Sequence, residues 1–95
     1  MREKEIELKF VKKVKQSGGL ALKLICPGFA GMPDRLVLFP DGKVGFVEVK
    51  APGMFPRALQ EARHHMLQKM GFLVFVLDGT EQIDGIIEEV KAWHR

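Results

Sequence analysis

Two acidic residues and a lysine are the residues of this chain whose types and spacing could do chemistry. Glu48 and Lys50 are two positions apart in an apolar stretch, so on a β-strand their side chains project from the same face. Asp34 follows Pro33, which stiffens the chain that leads into a second strand. Two carboxylates that meet on a sheet repel each other, and a hard cation such as Mg²⁺ relieves the repulsion. The pattern predicts a divalent-metal site beside Lys50, which could orient an attacking water or stabilise charge on a phosphate.

A turn between these positions predicts that the two carboxylates meet. Pro40-Asp41-Gly42 is a strong turn signal, and it separates two predicted strands, Asp34 to Phe39 and Lys43 to Val49. Asp34 and Glu48 stand at nearly equal distances from this turn. We therefore expect the two acids to be cross-strand neighbours in a hairpin.

An acidic residue of the first helix is a candidate third carboxylate. Apolar residues recur at four-residue spacing from Ile6 to Val14, which predicts a helix from Glu3 to Gln16. Glu3 and Glu7 fall on the apolar side of this helix, and an acid there is a local inconsistency that is typical of functional sites. We favour Glu7, because Glu3 is nearer the fraying end. The alternative is that either acid only favours the helix N-terminus electrostatically.

The remaining pattern completes an α/β arrangement. Two further strands are predicted, one from Leu20 to Ile25 with Leu20, Leu22 and Leu24 on one face, and one from Phe72 to Leu77. A second helix is predicted from Pro56 or Arg57 to about Met70, and the residues on its apolar face are Leu59, Ala62, Met66 and Met70. A last helix begins at an Asp78–Glu81 capping box or at Thr80, and the residues on its apolar face are Ile83, Ile86, Ile87, Val90 and Trp93. The order αβββαβα predicts one mixed four-stranded sheet flanked by helices. The chain has 95 residues, a length that suits a single domain over 1–95.

Composition narrows the class of protein. The net charge of +3 and the pI of about 9.2 suit a polyanionic partner without requiring one. No stretch reaches the roughly 18 apolar residues of a membrane span, and the charged N-terminus is unlike a signal peptide. The single cysteine, Cys26, can form no internal disulfide, which fits a cytoplasmic protein. We expect no contact with a membrane.

The motifs resemble a known nuclease superfamily. Gly31-Met32-Pro33-Asp34 followed by Glu48-Val49-Lys50 resembles the Pro-Asp…Asp/Glu-x-Lys pattern of restriction-endonuclease-like nucleases. With the helical Glu7, Ala51-Pro52-Gly53, and Leu59-Gln60 opening a helix, the chain is similar to the stand-alone phage or bacterial form of the virus-type replication-repair nuclease (VRR-NUC) domain. The resemblance covers roughly Glu3 to Gln82 and implies an αβββαβ(α) restriction-endonuclease-like fold.

This resemblance implies a reaction and a set of roles. The reaction is Mg²⁺- or Mn²⁺-dependent endonucleolytic hydrolysis of DNA, with branched DNA such as Holliday junctions as the leading substrate, a C₂ homodimer as the assembly and no organic cofactor. The implied roles are metal ligation by Asp34, Glu48, the Val49 carbonyl and Glu7, catalysis by Lys50, and an accessory function for Gln60. The alternatives are an inactive nucleic-acid-binding module, a restriction-like or RNA-directed nuclease on the same fold, and a fold without a nucleic-acid role.

Residues around the site are open to more than one interpretation. On the second predicted helix, cationic residues could contact DNA phosphates or only solvent: Arg57, Arg63, His64 and Lys69. We expect His64 and His65 at the surface, because a zinc site would need more ligands. Apolar residues also stand in the loops that flank the site: Phe29, Met32, Met54 and Phe55. They could form a subunit interface, a wedge against unstacked bases or lids over the core, and we prefer the interface.

Overall fold

The computed structural model describes residues 1–94, and its elements follow the predicted order. They are helix α1 (Glu3–Gln16), strands β1 (Leu20–Lys23), β2 (Arg35–Phe39) and β3 (Lys43–Val49), helix α2 (Ala58–Lys69), strand β4 (Leu73–Leu77), a 3₁₀ turn (Thr80–Gln82) and helix α3 (Ile83–Ala92). Within this part of the chain, no helix is both long and apolar enough to cross a membrane.

One mixed four-stranded sheet forms the centre, as predicted. Its order is β1-β2-β3-β4; the first three strands are antiparallel neighbours, and β3 pairs with β4 in parallel. The parallel pair requires a crossover, and α2 provides it. Three residues, Pro40 to Gly42, connect β2 to β3, and two of them adopt the left-handed conformation of a tight hairpin: Asp41 has a φ of 67° and Gly42 a φ of 71°.

One face of the sheet carries the hydrophobic core. Alternate strand residues point to this face, and α1 and α3 cover it. The fully or almost fully buried members of the core are Ile6, Phe10, Val14, Val37, Phe39, Val47, Val49, Leu77, Ile83, Ile86, Ile87 and Val90. The apolar faces predicted for the first and last helices are therefore confirmed, except that Trp93 follows α3 and is exposed.

The opposite face is covered by α2, but not by the residues predicted. The side chains that α2 buries are Gln60, His64 and Leu67, whereas Leu59 and Met70 are exposed. The predicted apolar face of α2 is thus wrong. The reason lies in β3, which presents the buried Glu48 to this helix, so polar side chains of α2 turn inward to meet a polar partner.

Most element ends differ from the predictions by one or two residues, and α3 begins later than predicted, at Ile83, because a 3₁₀ turn precedes it. β1 ends at Lys23 rather than Ile25, although the Leu24 N–H still donates to the Asp34 carbonyl at 2.9 Å. Asp78 lies one residue before Gly79, which is the N-terminal cap of the 3₁₀ turn. Its side-chain contact is with Gln82, whose side chain accepts from the Asp78 N–H and donates to its carboxylate. The prediction of a capping box formed by Asp78 and Glu81 is therefore wrong.

Candidate active site

Asp34 and Glu48 meet where β2 begins and β3 ends. Arg35 pairs with Val47 in the antiparallel register, so one position further along, Asp34 lies opposite Glu48. The Asp34 Oδ2 atom accepts a hydrogen bond of 2.7 Å from the Val49 N–H. This bond holds the Asp34 side chain across the end of β3. The hairpin thus brings together the two acids that the sequence pattern paired.

Glu48 is held in place by two side chains. Only 1% of the residue is exposed, which is unusual for an acid. Gln60 Nε2 donates to Glu48 Oε2 at 3.0 Å, while Gln60 Oε1 accepts from the Arg57 N–H at 2.8 Å. Lys50 Nζ lies 3.5 Å from the same Glu48 Oε2 atom. Gln60 therefore ties the start of α2 to the carboxylate, and Lys50 supplies a positive charge beside it.

The electrostatics of Glu48 favour the arrival of a cation. Burial in the first place, and then the nearby Asp34 carboxylate, raise the pKa of Glu48 to about 7, while Lys50 lowers it. The charged form of this acid is thus disfavoured by its surroundings. A divalent cation would offset both causes, because it neutralises the two carboxylates and replaces lost solvent.

His64 also faces Glu48, contrary to the predicted surface position. Its residue is 7% exposed, and its Nε2 atom lies 3.6 Å from Glu48 Oε1. Burial lowers the pKa of His64 from its ordinary value. The expectation of a surface histidine is wrong because α2 turns its polar face inward; the four-residue spacing from Gln60 is the sequence feature that could have indicated this.

The residues present fit a hard divalent cation. Asp34 and Glu48 supply carboxylate oxygens, and Glu48 Oε1 is a buried acceptor that has no hydrogen-bond partner among the described residues. Over residues 1–94, however, no three His, Cys, Asp or Glu side chains are grouped in a way that could hold a metal. The remaining ligands would have to be main-chain carbonyl oxygens or water, which suits Mg²⁺ or Mn²⁺ better than zinc.

Glu7 is not brought to this pair of acids. Its Oε2 atom accepts a hydrogen bond of 2.9 Å from Arg35 Nε, and Arg35 also donates to the Ala21 carbonyl. Because side chains alternate along a strand, Arg35 points to the face opposite that of Asp34. The helical periodicity placed Glu7 on the inner side of α1, but nothing in it indicated an arginine as partner.

The predicted phosphate-contacting residues are spread along α2. Arg57 precedes the helix, and Lys69 ends it about 18 Å away by helical rise. Arg63 stacks on the Phe29 ring at 3.9 Å and donates to the Ala30 carbonyl at 2.9 Å, so its guanidinium binds the loop before Asp34. Arg57 and Lys69 are exposed.

The apolar loop residues differ in exposure. Phe55 is 83% exposed, and Met54 and Phe29 are also exposed, whereas Met32 is half-buried. A lid over the core is therefore excluded for Phe55. The loop that carries it runs from Lys50 to the start of α2, so both of its ends adjoin Glu48.

Comparisons with known proteins agree with this fold. No family model matches the chain. A protein named "Putative nuclease p44", from Acyrthosiphon pisum secondary endosymbiont phage 1, is 46% identical over 91 residues, which are 96% of this chain and 97% of that protein. A solved structure titled "VRR_NUC domain" superimposes with a TM-score of 0.84 at 34% identity, covering 90% of this chain and 94% of the other.

Proposed function

Because the chain belongs to the VRR-NUC family of nucleases, we propose that it is a metal-dependent endonuclease that hydrolyses phosphodiester bonds in branched DNA. One observation carries this proposal: a buried glutamate beside Asp34, with Lys50 at 3.5 Å. Burying an acid next to a second acid is costly in the absence of a cation. Such a pair is therefore better explained by function than by stability.

Asp34, Glu48 and the Val49 carbonyl would hold Mg²⁺ or Mn²⁺. A bound divalent cation polarises a phosphoryl oxygen and lowers the pKa of water. The chain's own residues prepare the site before a cation arrives. The Val49 N–H fixes Asp34 Oδ2, and Gln60 fixes Glu48 Oε2, so that neither carboxylate has to reorient far on binding.

Lys50 is the residue that would act on the phosphate. Its side chain is largely buried. Its main-chain N–H donates to the Leu77 carbonyl at 2.9 Å, and this hydrogen bond anchors the end of β3 to β4. A lysine fixed in this way can orient the attacking water or stabilise the charge that develops on the phosphate. Glu7 is better explained as the partner of Arg35 than as a ligand, and Gln60 as a residue that positions Glu48.

A homodimer would match a branched substrate that needs two cuts. The even-numbered residues of β1 and β2 face away from the core, and they leave an apolar surface beside α2. We name this the leucine face; it consists of Leu20, Leu22, Leu36 and Leu38, where Leu20 pairs with Leu38 and Leu22 with Leu36. Leu20 is 54% exposed and Leu22 44%, although both belong to the sheet. Exposed contiguous apolar surface of this kind marks association, and an isologous contact in a C₂ dimer would cover it.

Cleavage assays test the proposal. The protein is incubated with labelled four-way junctions, flaps, linear duplex and RNA in the presence of Mn²⁺. We expect the junction to be cut fastest, and Glu48→Gln to lose at least about 100-fold in rate because a ligand charge is removed. Glu61→Gln, at an exposed position of α2, is the matched control and should cut normally.

Two outcomes of these assays would overturn the proposed function. Tight binding of junctions without cleavage would indicate a binding module. Faster cutting of linear duplex or RNA would indicate a nuclease with a different target on the same fold.

A further inference from the structure

Helix α2 presents two side chains, one turn apart, to the two oxygens of Glu48. Gln60 and His64 are four residues apart and therefore share one face of the helix. Gln60 Nε2 donates to Oε2 at 3.0 Å, and His64 Nε2 lies 3.6 Å from Oε1. Side chains of one helix thus face both oxygens of the Glu48 carboxylate.

The atoms of this second contact are both buried and both without a hydrogen-bond partner among the described residues. They are Glu48 Oε1 and His64 Nε2. Buried polar atoms are almost always hydrogen-bonded, because desolvation without compensation is unfavourable. Their separation of 3.6 Å is longer than the about 2.7–2.9 Å of a charge-assisted hydrogen bond. A small rotation of the carboxylate or of the imidazole would close the gap.

The chemistry of His64 suits a donor. A neutral imidazole carries a proton on one of its two nitrogens, and an imidazolium carries one on both. A carboxylate oxygen that faces Nε2 favours the proton on that atom, because a lone pair there would be repelled.

Resting on the proposed function, we propose that His64 is a positioning residue that, together with Gln60, fixes the rotation of the Glu48 carboxylate for a divalent cation. Partners of this kind hold ligating carboxylates in other metal sites, where their loss weakens the metal complex. His64 itself is too buried to contact DNA. Its effect would therefore be seen first in cation binding, before any substrate is present.

Calorimetric titration of the metal-free protein with Mn²⁺ tests this role. We expect His64→Leu to bind Mn²⁺ at least about 10-fold more weakly than the wild type, because Glu48 Oε1 loses its donor. His64→Gln should recover most of the affinity, since its amide nitrogen reaches nearly the position of Nε2. His65→Leu, at the exposed neighbouring position, is the matched control and should bind normally.

The outcomes separate the role from simple packing. A folded His64→Leu that binds Mn²⁺ as the wild type does would overturn the proposal. If His64→Leu does not fold, the pair His64→Gln and His64→Asn decides, because asparagine is too short to reach Oε1; equal affinities for the two would overturn it. Weak binding in His64→Leu by a protein that still cuts junctions at high Mn²⁺ supports it. A wild type that neither binds Mn²⁺ nor cuts DNA would overturn the proposed function as well.

Discussion

Glu48 is the residue at which stability and function oppose each other. The fold buries this acid beside Asp34, which raises its pKa from 4.5 to about 7. Below its unfolded pKa such an acid is neutral in both the folded and the unfolded state, and the folded protein keeps its full stability. Stability is lost as the pH rises from the unfolded pKa through the folded pKa, because the folded state disfavours the charged form.

The metal-free protein should therefore lose stability relative to Glu48→Gln as the pH rises. We expect the variant to gain about 3 kcal/mol in unfolding free energy over the wild type between pH 4.5 and pH 8. Comparing the two proteins removes the contributions of titrating groups away from the site, because these groups are common to both. Urea unfolding in the presence of a chelator measures the difference. A difference that stays constant with pH would contradict the electrostatic account of the site.

The residue pattern alone was sufficient to predict that Asp34, Glu48 and Lys50 come together. Strand alternation and a strong turn signal define those positions without any knowledge of the packing. His64 was not placed in the same way, because its four-residue spacing from Gln60 was the one sequence feature that indicated its inward position. Glu7 was placed on the correct side of α1, but its pairing with Arg35 depends on the packing of the helix against β2.

The elements position the site through the loop before β2. Gly31 in this loop has a φ of +92°, and a Cβ atom there would lie 2.8 Å from Leu59 Cγ and 3.1 Å from the Leu59 carbonyl oxygen. This loop therefore packs against α2 with no room for a side chain. The chain from Gly31 through Pro33 then fixes where Asp34 enters the sheet.

Gly31→Ala should disturb both stability and cleavage. We expect a loss of about 2–4 kcal/mol, from the left-handed backbone conformation together with the steric conflict. Gly28→Ala is the control, because Gly28 has a φ of +77° but nothing within 4 Å of the added Cβ. It should lose only about 1–2 kcal/mol and should cut junctions normally. Urea unfolding and junction cleavage measure the pair, and equal losses would contradict the packing argument.

Sequence patterns predicted which elements exist better than which faces they bury. The apolar face predicted for α2 is mostly exposed, because periodicity does not indicate that the strand beneath carries a buried acid. The apolar face of β1 likewise points away from the core, because Ala21 packs against the core whereas Leu20 and Leu22 are exposed. Both departures concern surfaces outside the core, one at the candidate site and the other at the leucine face.

At the scale of the whole molecule, the leucine face is an apolar part of the sheet surface on which Leu20 and Leu22 are exposed. Leu22→Glu places a charge on this face, so we expect this variant to be monomeric and the wild type to form the proposed dimer. Leu8→Glu, at an exposed position of α1, is the matched control and should leave the dimer intact. Light scattering gives the masses. A monomeric wild type at concentrations at which junctions are cut would contradict the dimer.

The overall arrangement was predictable because each connection allows few alternatives. Three strands in succession form a meander, and a helix between β3 and β4 permits their parallel pairing. No such connection predicts whether two chains associate.

Crystals grown with Mn²⁺ and measured for anomalous scattering test the central claim most directly. The account predicts an anomalous peak in contact with the carboxylates of Asp34 and Glu48 and the carbonyl oxygen of Val49, next to Lys50. A protein that cuts DNA while its Mn²⁺ peak lies at other residues, or while this position stays empty at saturating Mn²⁺, would contradict it.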